Sequence, residues 1–137
     1  MATVVNRKRF RGNVPTSRWV AYGAAVAREP YVQEVELALA PATDSAAPGG
    51  AVTVELCGHW EYSGACRWPH NNTIDTTVEP ARFRTLFVAS PADEPEVRAR
   101  IERALRREPT WTVVRSASRT LHDSEHALAQ RLAQVGE

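Results

Sequence analysis

Residues 51–72 (AVTVELCGHWEYSGACRWPHNN) constrain this chain more than any other stretch, because one backbone reading of them fixes where its reactive side chains go. They hold both cysteines, two of the four histidines and two of the four tryptophans. From 52 to 62 the residues alternate. Val52, Val54, Leu56, Gly58, Trp60 and Tyr62 share one parity, while Thr53, Glu55, Cys57, His59 and Glu61 share the other. Successive strand side chains point to opposite faces, so the alternation predicts a half-buried strand with its apolar set inward. Ser63-Gly64 supplies a turn, since glycine accepts the positive φ of a tight hairpin. That register sets Glu61 opposite Cys66, His59 opposite Trp68 and Cys57 opposite His70. It gathers Cys57, His59, Cys66 and His70 on one face.

The same register argues against a disulfide. Cys66 would sit about 13 Å along the partner strand from the position facing Cys57. A disulfide tolerates Cα atoms no more than roughly 7 Å apart. Zinc fits the residue types better, because two thiolates and two imidazoles are the ligands of a closed tetrahedral site. The candidate metal ligands are Cys57, His59, Cys66 and His70, although an ideal hairpin spreads them along a plane and leaves Cys66 too far from Cys57 to share one ion. Their C-x-H-x6-C-x3-H spacing is not that of a finger or ribbon. Pro69 cannot donate to a strand ladder, so the second arm is expected to be irregular and to fold back. The reading preferred over zinc has both cysteines as small buried thiols with the histidines hydrogen-bonded at a rim.

The surrounding composition narrows the function classes. The chain has 137 residues, enough for one domain with its own core. A net charge of +1 gives no overall attraction to nucleic acid or an anionic membrane. All but one of the 17 basic residues are arginines, the exception being Lys8, which reads as high-GC bacterial codon usage. No apolar run approaches membrane-spanning length and residues 1–13 are polar and basic, unlike a signal-peptide core, so a cytoplasmic protein with reduced thiols is expected. Residues 1–16 read as a flexible basic arm (NRKRFRG at 6–12), followed by a single domain over 17–137. The segment 17–28 fits either a short helix bearing Trp19, Tyr22 and Val26 or a strand.

Further along, 31–40 (YVQEVELALA) alternates as a strand, with Tyr31, Val35, Leu37 and Leu39 on one side. Residues 41–50 read as a small-residue loop and 73–80 as a polar connection. A strand follows at 81–89, where Arg82 and Arg84 lie opposite Phe83 and Phe87 and are placed to meet an anionic ligand or plain solvent. The clearest helix is 93–107. Asp93 and Glu96 resemble a capping box, Val97, Ile101 and Leu105 form the stripe, and Glu94-Arg98, Glu96-Arg100 and Glu102-Arg106 pair at i,i+4. A strand at 111–120 and a final helix begun at Asp123 or Ser124 complete the pattern. His122 to His126 spells H-x-x-E-H, the inverted zincin pattern, but His122 precedes the cap, so the two histidines need not share a helix face.

These elements predict an α+β fold: an antiparallel meander of about four or five strands with two amphipathic helices on one face. Two function classes follow. One is a non-catalytic intracellular binding or accessory protein with a Cys/His hairpin, with or without zinc, contacting a protein or small molecule through Trp60, Tyr62, Trp68, Arg82 and Arg84. The alternative is a small enzyme using Cys57, His59, Glu61 or His70 as nucleophile, acid or base in a pocket on the open sheet face. No oxyanion loop, phosphate-binding glycine motif or cofactor signature accompanies them. Nucleic-acid and membrane partners are not expected, and a homodimer is compatible with the uncovered face.

Overall fold

In a computed structural model, residues 27–58 and 66–134 are described. The basic arm, nearly all of 17–28, the Ser63-Gly64 turn, and the side chains of His59, Trp60, Glu61 and Tyr62 lie outside them. The described residues form four strands and three α-helices: β1 (Glu29–Leu39), α1 (Ala47–Cys57), β2 (His70–Asp75), β3 (Ala81–Ala89), α2 (Glu94–Arg106), β4 (Trp111–Arg119) and α3 (His126–Gln134). One antiparallel sheet runs in the order β2-β3-β1-β4. This is the α+β, antiparallel-sheet class that the pattern predicted.

Alternation in β1 and β3 creates the two sheet faces. Val35 pairs with Phe83 and Tyr31 with Phe87, while Glu34 pairs with Arg84 on the reverse side. The first face carries the main core, in which Val35, Leu37, Phe83 and Phe87 meet Val52 and Leu56 of α1 and Val97, Ile101 and Leu105 of α2. Two helices thus share one face. The C-terminal helix α3 takes the other, where Ala129 closes over Val32 and Leu86. Helices therefore pack on both faces of the sheet, although Arg82 on the reverse face stays exposed.

The principal correction concerns residues 47–57, which are helical rather than a loop running into a strand. Val52 and Leu56 fit either period. Val54 decides it: at 47% exposure it points away from Val52 and Leu56, which are 0% and 3% exposed. Pro48 occupies the first turn, and Gly58 ends the helix at a φ of 78°. This is the proline-in, glycine-out signature of a helix. The polar connection also needs amending, because its first residues belong to β2, the edge strand that pairs His70 with Phe87 and Asn72 with Thr85.

Two smaller differences have local causes. Asp93 precedes α2 as expected, yet its carboxylate caps no backbone amide. It accepts instead from the Trp68 indole at 3.2 Å, tying the chain before β2 to the start of α2. In β4 the pairing with β1 slips between Glu36 and Leu37, leaving Val114 unmatched. A bulge reverses the parity of everything beyond it. Trp111 and Val113 therefore face the core from odd positions, whereas Ser116 and Ser118 pair with the inward Val35 and Gln33 from even ones. That is why the strand's alternation looked weak. Trp111 also donates to the Leu105 carbonyl at 2.8 Å, satisfying one of the acceptors that the last turn of α2 leaves open.

The two glycines of α1 have opposite meanings. A Cβ on Gly49 would come within 3.3 Å of the Asn72 Cβ, whereas one on Gly50 meets nothing within 4 Å. Gly50→Ala should therefore stabilise the protein by roughly 0.5–1 kcal/mol through helix propensity. Gly49→Ala should destabilise it by about 1 kcal/mol, because Asn72 is fixed and must give way. Paired urea titrations of the two variants check this; equal shifts would show that α1 is not seated on β2 as described.

Candidate functional site

The site forms where the end of α1 meets the beginning of β2. Leu56 and Val52 pin α1 to the core, which turns Thr53 and Cys57, one helical turn apart, toward the edge strand. Beyond Gly58 the chain returns at Cys66, whose Cα lies 4.8 Å from that of Cys57, and the two cysteines form a disulfide. The pairing excluded on hairpin geometry is therefore present. The exclusion failed because a helix end, not a strand, delivers Cys57, and the strand rise that separated the cysteines does not apply.

His70 opens β2 and lies against the disulfide. Its Nδ1 is 3.8 Å from Cys57 Sγ and 4.0 Å from Cys66 Sγ. The same nitrogen is 3.0 Å from the Trp68 carbonyl, which can only accept, so Nδ1 carries the proton. Nε2 then accepts from the Thr53 hydroxyl at 3.0 Å. Asn72 continues the chain, donating to Thr53 Oγ1 at 3.3 Å and to the Gly49 carbonyl at 3.1 Å. Fully buried Thr85 holds it from behind by donating to its Oδ1 at 2.8 Å. Burial pushes the His70 pKa below the usual imidazole value and so favours the neutral ring, outweighing the Trp68 carbonyl, whose hydrogen bond favours the protonated one.

Three of the four residues read as metal ligands converge. The candidate ligand atoms of Cys57, Cys66 and His70 lie within 4.8 Å of one another, and all three residues are partly exposed. Cys57 and His70, predicted to face each other across a hairpin, do meet, although through a helix and a strand. Two cavities flank the cluster. One, of about 540 Å³, is lined by Gly49, Gly50, Thr53, Val54, His70 and Asn72, among others. The second, of about 320 Å³, is lined by Thr53, Cys57, Cys66, Pro69, His70 and Leu132. Thr53, Asn72 and the α1 glycines carried no motif; the one sequence signal for them was the unused Pro48–Gly58 helix signature.

The remaining candidates stand elsewhere. Trp68 is 3% exposed, with the Arg67 guanidinium 4.4 Å and the Arg100 guanidinium 5.1 Å from its ring, so it offers little surface to a partner. Arg82 is exposed on the reverse face, opposite Asp75 in the sheet register. Arg84, on that same face, is engaged internally: it donates to Glu125 at 2.8 and 2.9 Å, to Glu34 at 3.1 Å and to the Thr120 carbonyl at 3.0 Å. Glu125 is the glutamate of the H-x-x-E-H string. It accepts from Arg84 and from the His122 amide at 2.7 Å, and so latches α3 to the sheet. Among the described residues the metal-ligand geometry falls at Cys57, Cys66 and His70, not at this string.

No protein-family model, curated protein or solved structure matches this chain. The site is accordingly read from its own chemistry. Among the described residues, no helix is long and apolar enough to cross a membrane.

The α3 latch has a pH signature. The Arg84 hydrogen bonds hold the Glu125 carboxyl down at about 2, outweighing burial, with help from the His122 amide. Because the folded-state value lies below the ordinary 4.5, the stabilisation is complete above that pH and disappears as pH falls toward 2. Glu125→Gln should cost on the order of 2 kcal/mol at neutral pH and leave a smaller difference from the wild type near pH 2. Unfolding curves across that range check it; parallel pH profiles for the two proteins would refute the latch.

Proposed function

We propose that this is a small non-catalytic binding protein whose ligand site is the cleft between α1 and the edge strand β2. Its volume of about 540 Å³ falls in the range of small-molecule sites. The observation that carries the reading is the wall of that cleft. Among the described residues that line it there is no carboxylate, ammonium or guanidinium, and burial favours the neutral form of the His70 imidazole. Its polar groups are already oriented: Asn72 by Thr85 and Gly49, His70 by Trp68 and Thr53. A rigid, uncharged wall of mixed polarity suits an uncharged molecule with an apolar body and an amide or hydroxyl group, because such a ligand loses little solvation on entry.

The disulfide favours binding over the alternative in which Cys57 attacks a substrate with His70 as its base. That chemistry needs a free thiolate, and the oxidised chain has none here. Zinc enters this reading as an ion of the reduced protein, held by Cys57, Cys66 and His70 behind the cleft.

Amide chemical shifts of isotopically labelled protein test the cleft, with benzamide, acetanilide and cyclohexanol as probes. Saturable shifts should cluster at Gly49, Gly50, Thr53 and Asn72. They should vanish in Gly50→Leu, whose side chain has open space to fill the cleft. Shifts that persist unchanged in that variant, or no shifts with any probe, would overturn the proposal.

A further inference from the structure

We propose that Cys57, Cys66 and His70 form an oxidation-gated zinc site, closed as a disulfide and opened by reduction into a thiolate–imidazole site. This rests on the zinc reading above and adds the gate and the ligating nitrogen.

Distance comes first. With zinc–sulfur bonds of about 2.3 Å and zinc–nitrogen bonds of about 2.05 Å, a tetrahedral ion sets sulfur and nitrogen about 3.6 Å apart and the two sulfurs about 3.8 Å apart. Nδ1 of His70 already stands 3.8 and 4.0 Å from the two sulfurs. The imidazole is already at ligating distance, and its ring has to turn Nδ1 from the Trp68 carbonyl toward the ion. What must also change is the sulfur pair, which has to lose its covalent bond and separate. The metal and the disulfide therefore exclude one another, because each sulfur uses the same electrons for either bond. Two soft thiolates beside an imidazole select zinc over magnesium or calcium.

The surrounding hydrogen bonds accommodate the change. In the disulfide form the Nδ1 proton goes to the Trp68 carbonyl, so that nitrogen cannot ligate. Moving the proton to Nε2 frees Nδ1 for the metal and reverses the bond to Thr53, which then accepts at the same 3.0 Å separation. The Thr53 oxygen has two lone pairs, one for Nε2–H and one for the Asn72 amide at 3.3 Å. A ligating histidine is normally held through its other ring nitrogen, and here Thr53, backed by Asn72 and Thr85, fills that role. Both sulfurs and the imidazole line the cavity of about 320 Å³ that also touches Pro69 and Leu132.

The chemistry balances at each step. A dithiol such as dithiothreitol passes two electrons and two protons to the disulfide, giving two cysteine thiols and its own cyclic disulfide. Zinc then displaces the two thiol protons. A peroxide reverses the process: the two thiolates give up two electrons and join, zinc leaves, and hydrogen peroxide takes the electrons with two protons to become two waters.

The test uses the full chain, reduced with dithiothreitol under nitrogen or left oxidised, with zinc alone as the probe and cobalt as its spectroscopic substitute. The reduced protein should keep one zinc per chain through desalting and show visible cobalt bands of a tetrahedral thiolate site. The oxidised protein should keep none, and peroxide should release the bound ion. His70→Gln should remove the site, and Thr53→Val should weaken zinc roughly 10-fold or more. If the reduced chain loses its fold, recovery of the folded amide spectrum on adding zinc counts as binding; a chain that stays unfolded overturns the proposal. No zinc on a folded reduced chain would end the zinc reading altogether. Equal zinc on reduced and oxidised chains would leave a zinc protein but remove the gate, and unchanged affinity in His70→Gln would move the site elsewhere.

Discussion

The seating of α1 on the edge strand β2 is the constraint from which the rest of the site follows. At one end Gly49 lets the helix backbone come close enough for Asn72 to donate to its carbonyl at 3.1 Å. At the other end the Cys57–Cys66 bond ties the helix C-terminus to the chain entering β2. A covalent loop spanning 9 positions removes entropy from the unfolded chain worth about 2.7 kcal/mol in the loop-closure model. Between these two attachments Thr53 and His70 are brought within hydrogen-bond distance, and the cleft beside them acquires a fixed wall. Without that seating, the polar groups of β2 would be ordinary edge-strand residues facing water.

Charge holds the two layers of helices to the sheet. On the face shared by α1 and α2, Arg98 reaches the Val32 carbonyl at 2.9 Å and the Gln33 side chain at 2.6 Å, while Glu94 braces its other edge. Glu55 of α1 binds Arg103 of α2 at 3.0 Å and Arg107, which caps that helix, at 3.2 Å. Burial pushes its carboxyl up, but those two arginines outweigh burial and hold it below the ordinary value. On the reverse face Arg84 does the equivalent work between Glu34 and Glu125. Among the described residues, many of the arginines that stand out in the composition thus serve to join elements.

How much of this was legible in the sequence depended on whether a residue's neighbours in the chain determine its place. The β1 and β3 strands and α2 were readable because their patterns run for several turns or pleats without a competing period. The three i,i+4 pairs of α2 are present as expected. Residues 52–56 were misread because Val52, Val54 and Leu56 satisfy an alternating template, while only Val52 and Leu56 are buried. A span so short cannot arbitrate between periods of 2 and 3.6. Pro48 and Gly58 would have done so had the terminal signals been weighed above the alternation. The disulfide was then lost as a consequence, since its exclusion assumed the strand. Thr53 and Asn72 could not be found at all: their roles come from partners 17 to 23 positions away, which no local pattern encodes.

The convergence of Cys57, Cys66 and His70 survived the wrong secondary structure for a physical reason. Cys57 closes one element and His70 opens the next, so any fold that packs those elements side by side brings their adjoining ends together. Such proximity makes a short-loop disulfide favourable to form, and it also brings three soft donors within reach of one ion. Which state is populated then depends on the surroundings: reducing compartments keep cysteine pairs as dithiols, and oxidising ones keep them joined. Thr53 connects this equilibrium to the cleft, since its hydroxyl donates to neutral His70 in the disulfide form and would accept from it in the metal form. A single proton shift on one imidazole would thereby alter the hydrogen-bonding character of the cleft wall whenever the cysteines change state, so ligand binding and cysteine oxidation would be coupled through one side chain.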